Sequence, residues 1–257
     1  MVAPSPMDRA AHFRDMKRAG EKIAVLTAYD YPLARMLDEA GIDIILVGDS
    51  LGMVVLGFPD TTSVTMDHML HHTAAVYRGA LTAFIVADLP IGSYATPEMA
   101  LENSSRLIEA GATAVKLEGA HCEQIRAITA AGIPLMAHLG MLPQHVREEG
   151  GYRMKGRTDT ESAALLEQTR AVEAAGAFAV VLELVKPEAA AHISQSVGIP
   201  TIGIGSGQGC DGQVLVIHDL IGLFPWFRPK FAKPETDVSA NIRAAIGAYR
   251  ERTTRDG

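Results

Sequence analysis

The 257-residue chain is poor in cysteine, has no concentrated basic charge and contains no long apolar run. Its cysteines are Cys122 and Cys210, and two in a chain of this length favour neither a disulfide framework nor a structural zinc site. The net charge is −7 and the strongest basic cluster is Arg250, Arg252 and Arg255, so no nucleic-acid partner is expected. No signal-peptide core or bilayer-spanning run is present, so we expect a cytoplasmic protein without a membrane partner.

Apolar runs and helix signals alternate along the sequence, and 48% of the residues are hydrophobic, enough for a sizeable core. The runs predict strands at residues 23–27, 42–48, 82–88, 113–118, 134–138, 178–183, 200–204 and, most weakly, 213–217. Helix signals fill the intervals, and Asp8 is the expected N-cap of a first helix that stops at Gly20. A last helix is expected at about 235–252.

This alternation predicts an α/β fold, a (β/α)8 TIM barrel that forms a single domain over residues 1–257 with an N-terminal and a C-terminal helix. Three helix-to-strand joints repeat an Ala-Gly pair, at Gly41, Gly111 and Gly176, as expected where a helix ends just before a buried strand. An open doubly wound sheet is the alternative, because the eighth unit is indistinct.

Polar side chains stand at the ends of successive predicted strands. The sequence Asp49-Ser50 follows the second strand, and four further strands end in Asp88, Glu118, His138 and Glu183. In a parallel barrel the carboxyl ends of the strands meet at one face, where active sites lie. The sequence therefore predicts one site built from these strand ends.

Three of these strand ends carry carboxylates, Asp49, Asp88 and Glu118. Carboxylates gathered at one place repel each other unless a cation or a shared proton offsets the charge. Oxygen ligands without Cys or His favour Mg²⁺ over zinc. The alternative is that some of them are helix N-caps. Lys116 lies two residues before Glu118, so both side chains should point to the same face of a strand. A lysine that faces the barrel interior is unfavourable unless its ammonium meets an anion there.

Three more residues have two readings each. Ser50 could bind a substrate carboxylate or form a local serine turn. His138 could donate to a substrate carbonyl oxygen or be a satisfied core histidine. Glu183 stands apart from the acidic trio and could be a general base, or an N-cap or surface ion pair. Residues 144–158 contain two adjacent glycines and many charges, which suggests a lid over the site.

Other patterns are discounted as sites. The run 207–212 matches the spacing G-x-G-x-x-G, but no long helix or ribose-binding acid follows it, so it is interpreted as a loop. His68 and His72 have helical metal spacing without an evident third ligand.

Several longer strings carry a resemblance to a known family. They are Val-Gly-Asp-Ser-Leu-Gly-Met-Val-Val-Leu-Gly at 47–57, and the shorter strings at 87–90, 92–94, 116–119, 138–140, 143–144 and 203–205. With them the sequence resembles the ketopantoate hydroxymethyltransferase family from about residue 22 to residue 233. The string at 47–57 is the most specific.

The resemblance implies a barrel of the phosphoenolpyruvate/pyruvate superfamily and a cytoplasmic enzyme of pantothenate biosynthesis. That family transfers a one-carbon unit from 5,10-methylenetetrahydrofolate, as co-substrate, to 3-methyl-2-oxobutanoate, giving 2-dehydropantoate through a Mg²⁺-stabilised enolate. Its members assemble as ring-stacked homo-oligomers, often decamers, so a homo-oligomer is implied here.

Matched by position, the resemblance also implies roles for residues of this sequence. Asp49, Asp88 and Glu118 correspond to the Mg²⁺ site, and Glu183 corresponds to the proton acceptor. The oxoacid contacts correspond to Asp49, Ser50, Asp88 and Lys116. Two departures lie beside the site: Leu184 stands where the family usually has a small apolar residue, and Ser206 where it usually has Ala. Both bear on fine substrate preference.

Two alternatives remain at this stage. A related Mg²⁺ barrel that cleaves carbon–carbon bonds, such as an isocitrate-lyase-like or phosphonopyruvate-type enzyme, usually carries a Cys-containing active-site loop, and neither Cys122 nor Cys210 has a suitable context. A catalytically silent barrel that serves as an assembly scaffold would not need Lys116 and Glu183 beside the acidic trio.

Overall fold

The computed structural model describes residues 5–255. The helices are α1 (Pro6–Ala19), α2 (Tyr31–Glu39), α3 (Leu51–Val54), α4 (Met66–Gly79), α5 (Pro97–Glu109), α6 (Cys122–Ala130), α7 (Asp159–Ala174), α8 (Pro187–Ser196), α9 (Ile217–Leu220) and α10 (Val238–Thr254). The strands are β1 (Ile23–Thr27), β2 (Ile44–Val47), β3 (Phe84–Asp88), β4 (Ala114–Glu118), β5 (Leu135–Gly140), β6 (Ala179–Glu183), β7 (Thr201–Ile204) and β8 (Gly212–Leu215). Short 3-10 helices cover Thr61–Ser63 and Pro143–His145.

The eight strands close into a barrel in chain order, β1 to β8, and the strand pairs from β1 to β8 are parallel. This confirms the predicted (β/α)8 barrel and excludes the open sheet. The seam between β8 and β1 is held in part by the hydrogen bond from Ile23 N to Asp211 O, 3.1 Å. Lys17 of α1 lies at the same seam, where its Nζ donates to Asp211 Oδ2 and to the carbonyl oxygens of Ser194 and Ile199.

Local sequence signals set most helix boundaries. Thr65 and Thr96 are the N-caps of α4 and α5, and each side chain accepts a hydrogen bond from the backbone three residues on. At α1 the expectation was wrong: Ser5 is the N-cap, and Asp8 completes a capping box by reaching back to the Ser5 backbone. Gly20 ends α1 in the left-handed conformation, as predicted.

The eighth strand was predicted slightly too late in the chain. It covers Gly212–Leu215 rather than 213–217, and Ile217 starts the short helix α9. Gly212 has no room for a side chain, because a Cβ there would lie 2.4 Å from the carbonyl oxygen of Ile23. The strand therefore begins at a close approach to β1 that its apolar pattern did not reveal.

The inward face of the strands changes character along the barrel axis. At the N-terminal ends of the strands, Phe84 and Phe178 pack with Phe13 of α1 in an apolar cluster, here called the apolar end. Inward positions recur every second residue, so the face that carries Phe84 also carries Asp88. Buried charged and polar side chains lie at the C-terminal ends of the strands, here called the charged end: Asp49, Asp88, Lys116, Glu118, His138 and Glu183.

The chain divides into two compact units, Met1–Val214 and Leu215–Gly257. The second unit contains α9 and α10, and the side chain of Asp237 caps α10 by accepting from Ala240 N. The expected single domain over residues 1–257 stays a prediction. Among residues 5–255, we find no helix with both the length and the apolar character needed to cross a membrane.

Candidate active site

The side chains predicted at the strand ends are connected by short contacts at one end of the barrel. Asp88 Oδ2 accepts from Asp49 N at 3.0 Å, and Asp88 Oδ1 lies 2.9 Å from Lys116 Nζ. Lys116 Nζ is 3.3 Å from His138 Nδ1, and His138 Nε2 is 3.3 Å from Glu183 Oε2. All of these residues are buried. The structure therefore brings the strand-end residues together as a single polar cluster.

None of the three acidic residues acts as a helix N-cap. The residue at the N-cap of α3 is Ser50, α5 is capped by Thr96, and the N-cap position of α6 is His121. The carboxylate oxygens of Asp49 and Glu118 instead accept hydrogen bonds from Gln144. The capping alternative is therefore wrong for these residues.

Lys116 is a buried cation surrounded by anions. Burial alone would lower the pKa of its ammonium, but the charges on Asp88, Glu118 and Asp49 raise it above the ordinary value. Its side chain and that of Asp88 are each only 4% exposed. Lys116 therefore stays protonated and offsets part of the negative charge at this end of the barrel.

The carboxylates outnumber this single cation. Burial and the charge of Asp88 raise the pKa of Asp49 to about 7, although Lys116 and the Gln144 hydrogen bond oppose the shift. Burial and the charge of Asp49 also raise the pKa of Glu118 well above its ordinary value. The cluster thus has more negative charge than its own residues can neutralise.

His138 is a neutral imidazole with a defined tautomer. Its pKa is lowered by burial and by the positive charge of Lys116. The Lys116 ammonium has only donors, so His138 Nδ1 accepts, and Nε2 carries the proton. Nε2 donates to Met141 O at 3.0 Å and also faces Glu183 Oε2. His138 is therefore held between Lys116 and Met141 O, beside the Glu183 carboxylate.

Ser50 lies beside this cluster and is half-buried. Its hydroxyl is 2.8 Å from the hydroxyl of Tyr29, and it makes no capping hydrogen bond to α3. The chain approaches closely here, because a Cβ on Gly48 would lie 2.9 Å from Ser50 Oγ. The serine hydroxyl is thus held at the tip of β2, next to Asp49.

Two residues of the cluster were not singled out from the sequence. Gln144 is 2% exposed; its Nε2 donates to Asp49 Oδ2 (2.8 Å) and Leu89 O, and its backbone N donates to Glu118 Oε2 (3.0 Å). Tyr94 donates to Gln144 Oε1 at 2.5 Å. Both fall within short strings of the family resemblance, and Gln144 begins the segment predicted to be a lid, but neither signal indicated a contact with the carboxylates.

Residues 144–158 are joined to the barrel at the turn after β6. Lys155 N donates to Leu184 O, and Lys186 N donates to Lys155 O. The Tyr152 ring is partly exposed, but burial of its hydroxyl and the charges on Glu183 and Asp49 raise the pKa of the phenol. The Tyr152 hydroxyl itself contacts Met53 Sδ at 3.9 Å, in an exposed position.

The chemistry of the charged end fits Mg²⁺ better than it fits a softer metal. Its four carboxylates offer oxygen donors and a surplus of negative charge, and neutral His138 is already engaged by Lys116 and Met141. Within residues 5–255, no three His, Cys, Asp or Glu side chains stand close enough to hold an ion by themselves. Mg²⁺ does not require such a cage, because it commonly takes one or two carboxylates together with water and substrate oxygens.

The histidine pair discounted from the sequence has other roles. His68 Nδ1 accepts from Thr65 N and completes the capping box of α4, and His72 Nδ1 is 2.6 Å from Tyr29 O. Each ring is therefore committed to a separate backbone partner.

Comparison with known proteins assigns this chain to one family. The family model for ketopantoate hydroxymethyltransferase matches residues 8–256. A relative from Syntrophus aciditrophicus (strain SB), named 3-methyl-2-oxobutanoate hydroxymethyltransferase, is 51% identical over 242 residues, which cover 93% of this chain and 89% of the relative. A relative of the same name from Ignicoccus hospitalis is 54% identical over 235 residues, which cover 90% and 89%.

The fold also has solved counterparts. Phosphoenolpyruvate phosphomutase from Streptomyces platensis subsp. rosaceus superposes with a TM-score of 0.65 at 17% identity, covering 96% of this chain and 88% of that chain. Identity this low shows the shared fold alone. It agrees with the closed eight-stranded barrel, and membership of the phosphoenolpyruvate/pyruvate superfamily stays a prediction.

Proposed function

This chain belongs to the ketopantoate hydroxymethyltransferase family of enzymes, and we propose that it transfers the one-carbon unit of 5,10-methylenetetrahydrofolate to 3-methyl-2-oxobutanoate. The products are 2-dehydropantoate and tetrahydrofolate, and water supplies the hydroxyl oxygen. The observation that carries this proposal is the buried cluster in which three carboxylates and one lysine face a fourth carboxylate, Glu183, held by a neutral histidine. Such a cluster suits enolate formation from a 2-oxoacid.

In this proposal Asp49, Asp88 and Glu118 would hold Mg²⁺, with one or two of them as direct ligands and water and substrate oxygens completing the shell. When bound, the ion supplies positive charge that stabilises the enolate oxygens of the oxoacid. The excess of buried negative charge, seen in the raised pKa values of Asp49 and Glu118, supports cation binding here. Lys116 adds a second, permanent positive charge beside Asp88.

Glu183 removes the proton from carbon 3 of the oxoacid. The C–H bond breaks, the proton moves to the Glu183 carboxylate, and the electron pair remains on the enolate carbon. That carbon attacks the methylene carbon as one of its two C–N bonds to the folate breaks. Water then replaces the second C–N bond, its oxygen becomes the hydroxyl, and the protons released go to the folate nitrogens. His138 Nε2 donates to Met141 O and lies 3.3 Å from Glu183 Oε2, so the imidazole packs beside the proposed base. Asp49, Ser50, Asp88, Lys116 and His138 contact or frame the oxoacid in this arrangement.

Residues 144–158 act as a lid in the same proposal. Gln144 at one end of the segment contacts Asp49 and Glu118, and Lys155 near the other end is joined to the turn after Glu183. Tyr152 lies between them in the sequence, and its hydroxyl contacts Met53 Sδ. Closure of this segment would exclude water from the enolate.

Hydrogen–deuterium exchange at carbon 3 of 3-methyl-2-oxobutanoate tests the proposal. We expect NMR in D2O to show exchange that requires Mg²⁺ and is abolished in Glu183→Gln. Glu188→Gln is the matched control, because that side chain is 75% exposed on α8. The same exchange is then followed with tetrahydrofolate present, in case folate must bind before the proton leaves.

The outcomes separate the alternatives. Exchange that persists in Glu183→Gln would contradict the role of Glu183 as the base. Exchange in chelator-treated protein without Mg²⁺ would contradict the requirement for a metal ion. Turnover of the oxoacid without a reduced folate would contradict the co-substrate. A barrel that binds neither metal nor oxoacid in calorimetric titration would favour the scaffold alternative.

We also propose that the chain forms a homo-oligomer, as its family membership suggests. Light scattering coupled to size-exclusion chromatography measures the molar mass directly. A mass of about one chain, 27.4 kDa, would contradict this.

A further inference from the structure

The buried amide of Gln144 is hydrogen-bonded at both of its ends. Its Nε2 donates to Asp49 Oδ2 at 2.8 Å and to Leu89 O at 3.0 Å, and its Oε1 accepts from the Tyr94 hydroxyl at 2.5 Å. Gln144 is 2% exposed and Tyr94 is 6% exposed. An amide buried this deeply depends on its protein partners, because an unpaired polar group in the interior is costly.

The surroundings of the amide favour one orientation. The carboxylate oxygen of Asp49 and the carbonyl oxygen of Leu89 are acceptors, so they require the two hydrogens on Nε2. Turning the amide over would place Oε1 against these two oxygens. At the other end Oε1 can only accept, so the Tyr94 hydroxyl is the donor in this contact. Tyr94 and Asp49 therefore favour the same orientation from opposite ends of the amide.

Tyr94 is itself held by two helices. It lies in the loop between β3 and α5, directly after Ser93, whose carbonyl oxygen accepts from Asn103 Nδ2 of α5 at 2.8 Å. The carbonyl oxygen of Tyr94 accepts from Gln124 Nε2 of α6 at 3.4 Å. The hydroxyl that contacts Gln144 is thus fixed by helices on the outside of the barrel.

Gln144 contacts two of the three proposed Mg²⁺ ligands through separate groups. Its side chain binds Asp49, and its backbone N binds Glu118 Oε2 at 3.0 Å. Hydrogen bonds from residues outside the ligand set orient the ligating carboxylates of a metal site. A change in the Gln144 amide therefore reaches Asp49 and leaves the backbone contact with Glu118 in place.

We infer that Tyr94 is a positioning residue: its hydroxyl holds the Gln144 amide in the orientation that presents Asp49 to a divalent cation. This inference rests on the proposed Mg²⁺ site at Asp49, Asp88 and Glu118. Tyr94 acts through Gln144 and contacts neither the ion nor the oxoacid.

The expected consequence of losing this hydroxyl is weaker Mg²⁺ binding. In Tyr94→Phe, Gln144 Oε1 stays buried without its donor, which disfavours the observed orientation of the amide. Loss of a direct partner of a ligating group costs about 10- to 100-fold in metal affinity, and Tyr94 lies one contact further from the ion, so we expect a loss of about 3- to 10-fold. Once Mg²⁺ is saturating, the rate of proton removal by Glu183 should be close to that of the wild type.

The experiment compares Tyr94→Phe, Gln144→Met, the double variant and Tyr77→Phe. Calorimetry measures Mg²⁺ binding to chelator-treated protein, and urea unfolding gives the folded fraction to which each value is referred. Carbon-3 exchange over a series of Mg²⁺ concentrations gives the apparent Mg²⁺ constant and the rate at saturation. Tyr77→Phe is the matched control, because it removes the same hydroxyl from a tyrosine of α4 that is 56% exposed.

We expect Tyr94→Phe to raise both the Kd for Mg²⁺ and the apparent Mg²⁺ constant for exchange by about 3- to 10-fold, with little change in the rate at saturation. Tyr77→Phe should change none of these values. In the Gln144→Met background, Tyr94→Phe should have little further effect, because the amide through which it acts is already absent. A merely structural role for Tyr94 would lower the free energy of unfolding and leave both Mg²⁺ constants unchanged.

Two results would contradict the positioning role. One is wild-type Mg²⁺ affinity in Tyr94→Phe. The other is an equal loss of affinity on adding Tyr94→Phe to the wild type and to Gln144→Met, since the hydroxyl would then not act through the amide.

Asp49→Asn measured in parallel keeps this test separate from the proposed function. If Asp49→Asn loses Mg²⁺ binding while Tyr94→Phe binds Mg²⁺ like the wild type, the positioning role is wrong and the metal site stands. If Asp49→Asn binds Mg²⁺ like the wild type, the metal site itself is wrong.

Discussion

The two ends of the barrel interior are equally buried but opposite in chemistry. At the apolar end, Phe13, Phe84 and Phe178 meet with ring centroids 5.2 to 6.0 Å apart. At the charged end, four residues further along β3, Asp88 is paired with Lys116. The same inward face of one short strand therefore serves both ends.

The difference shows how the barrel divides its tasks. Burying aromatic and aliphatic surface at the apolar end stabilises the fold, at about 25 cal/mol per Å² of apolar area removed from water. Burying carboxylates at the charged end is unfavourable unless each is paired or hydrogen-bonded. The apolar end thus offsets the cost of a site whose charges are arranged for a ligand rather than for stability.

The largest expected effect comes from removing one charge at the charged end. Asp49→Asn keeps the size of the side chain but removes a proposed Mg²⁺ ligand, so we expect turnover to fall about a thousand-fold, or about 4 kcal/mol in the barrier. The free energy of unfolding should not decrease, because one buried negative charge is gone. Steady-state kinetics and urea unfolding measure the two quantities. Near-normal turnover would contradict the metal assignment.

The opposite result is expected at the apolar end. Phe13→Ala removes an aromatic ring from a buried cluster, so we expect the protein to lose about 3–5 kcal/mol of unfolding free energy. The rate per folded molecule should stay close to the wild-type value. Met7→Ala on the exposed side of α1 is the control. If Phe13→Ala lowered the rate per folded molecule as strongly as Asp49→Asn, the two ends would not be separable.

A smaller effect is expected for a substitution of Gln144, whose side chain binds one carboxylate and whose backbone binds another. Gln144→Met keeps the backbone hydrogen bond to Glu118 but removes the side-chain donor to Asp49, and a hydrogen bond to a charged group contributes about 1.5–3 kcal/mol. We expect turnover at subsaturating Mg²⁺ to fall about 10- to 100-fold. Gln168→Met, at an exposed position of α7, should have no effect. Equal kinetics in the two variants would show that Gln144 does not support the site.

The smallest effect is a change in how stability depends on pH. Folding raises the pKa of Asp49 from 3.8 to about 7, so between these values the folded protein holds a proton that the unfolded chain has lost. The contribution of this group to the unfolding free energy therefore decreases as pH rises from about 4 to about 7. Urea unfolding in a metal chelator should show that wild type loses stability relative to Asp49→Asn over this range. If the unfolding free energies of the two proteins changed with pH in the same way, the raised pKa of Asp49 would be contradicted.

Much of the fold could be predicted because its signals are local. The strand Ile23–Thr27 has the predicted bounds, since an apolar run marks it directly. The errors concern residues whose role depends on a neighbour. Asp8 is not the N-cap of α1, because Ser5 takes that position and Asp8 supports it from the first turn. The start of β8 is set by the close approach of Gly212 to β1.

The same distinction applies to the site. The strand-end residues could be predicted because a parallel barrel brings the C-terminal ends of its strands together, and Lys116 shares a face with Glu118 as the two-residue period requires. Gln144 could not, because its contact with Asp49 joins residues 95 positions apart and depends on the path of the loop after β5. The hydrogen bonds of Ser206 to Val185 N and Leu182 O could not be predicted either, because they join the loop after β7 to the end of β6.

The contact between Lys17 and Asp211 has a consequence for the protein during synthesis. The two residues are 194 positions apart, and ribosomes add about 5–20 residues per second, so α1 is made about 10–40 s before its partner at the barrel seam exists. During that interval Phe13 and Met16 have no completed barrel to cover them. A nascent chain of this protein therefore exposes the apolar face of its first helix until its last strands emerge, and it is in this interval that we expect chaperones to bind it.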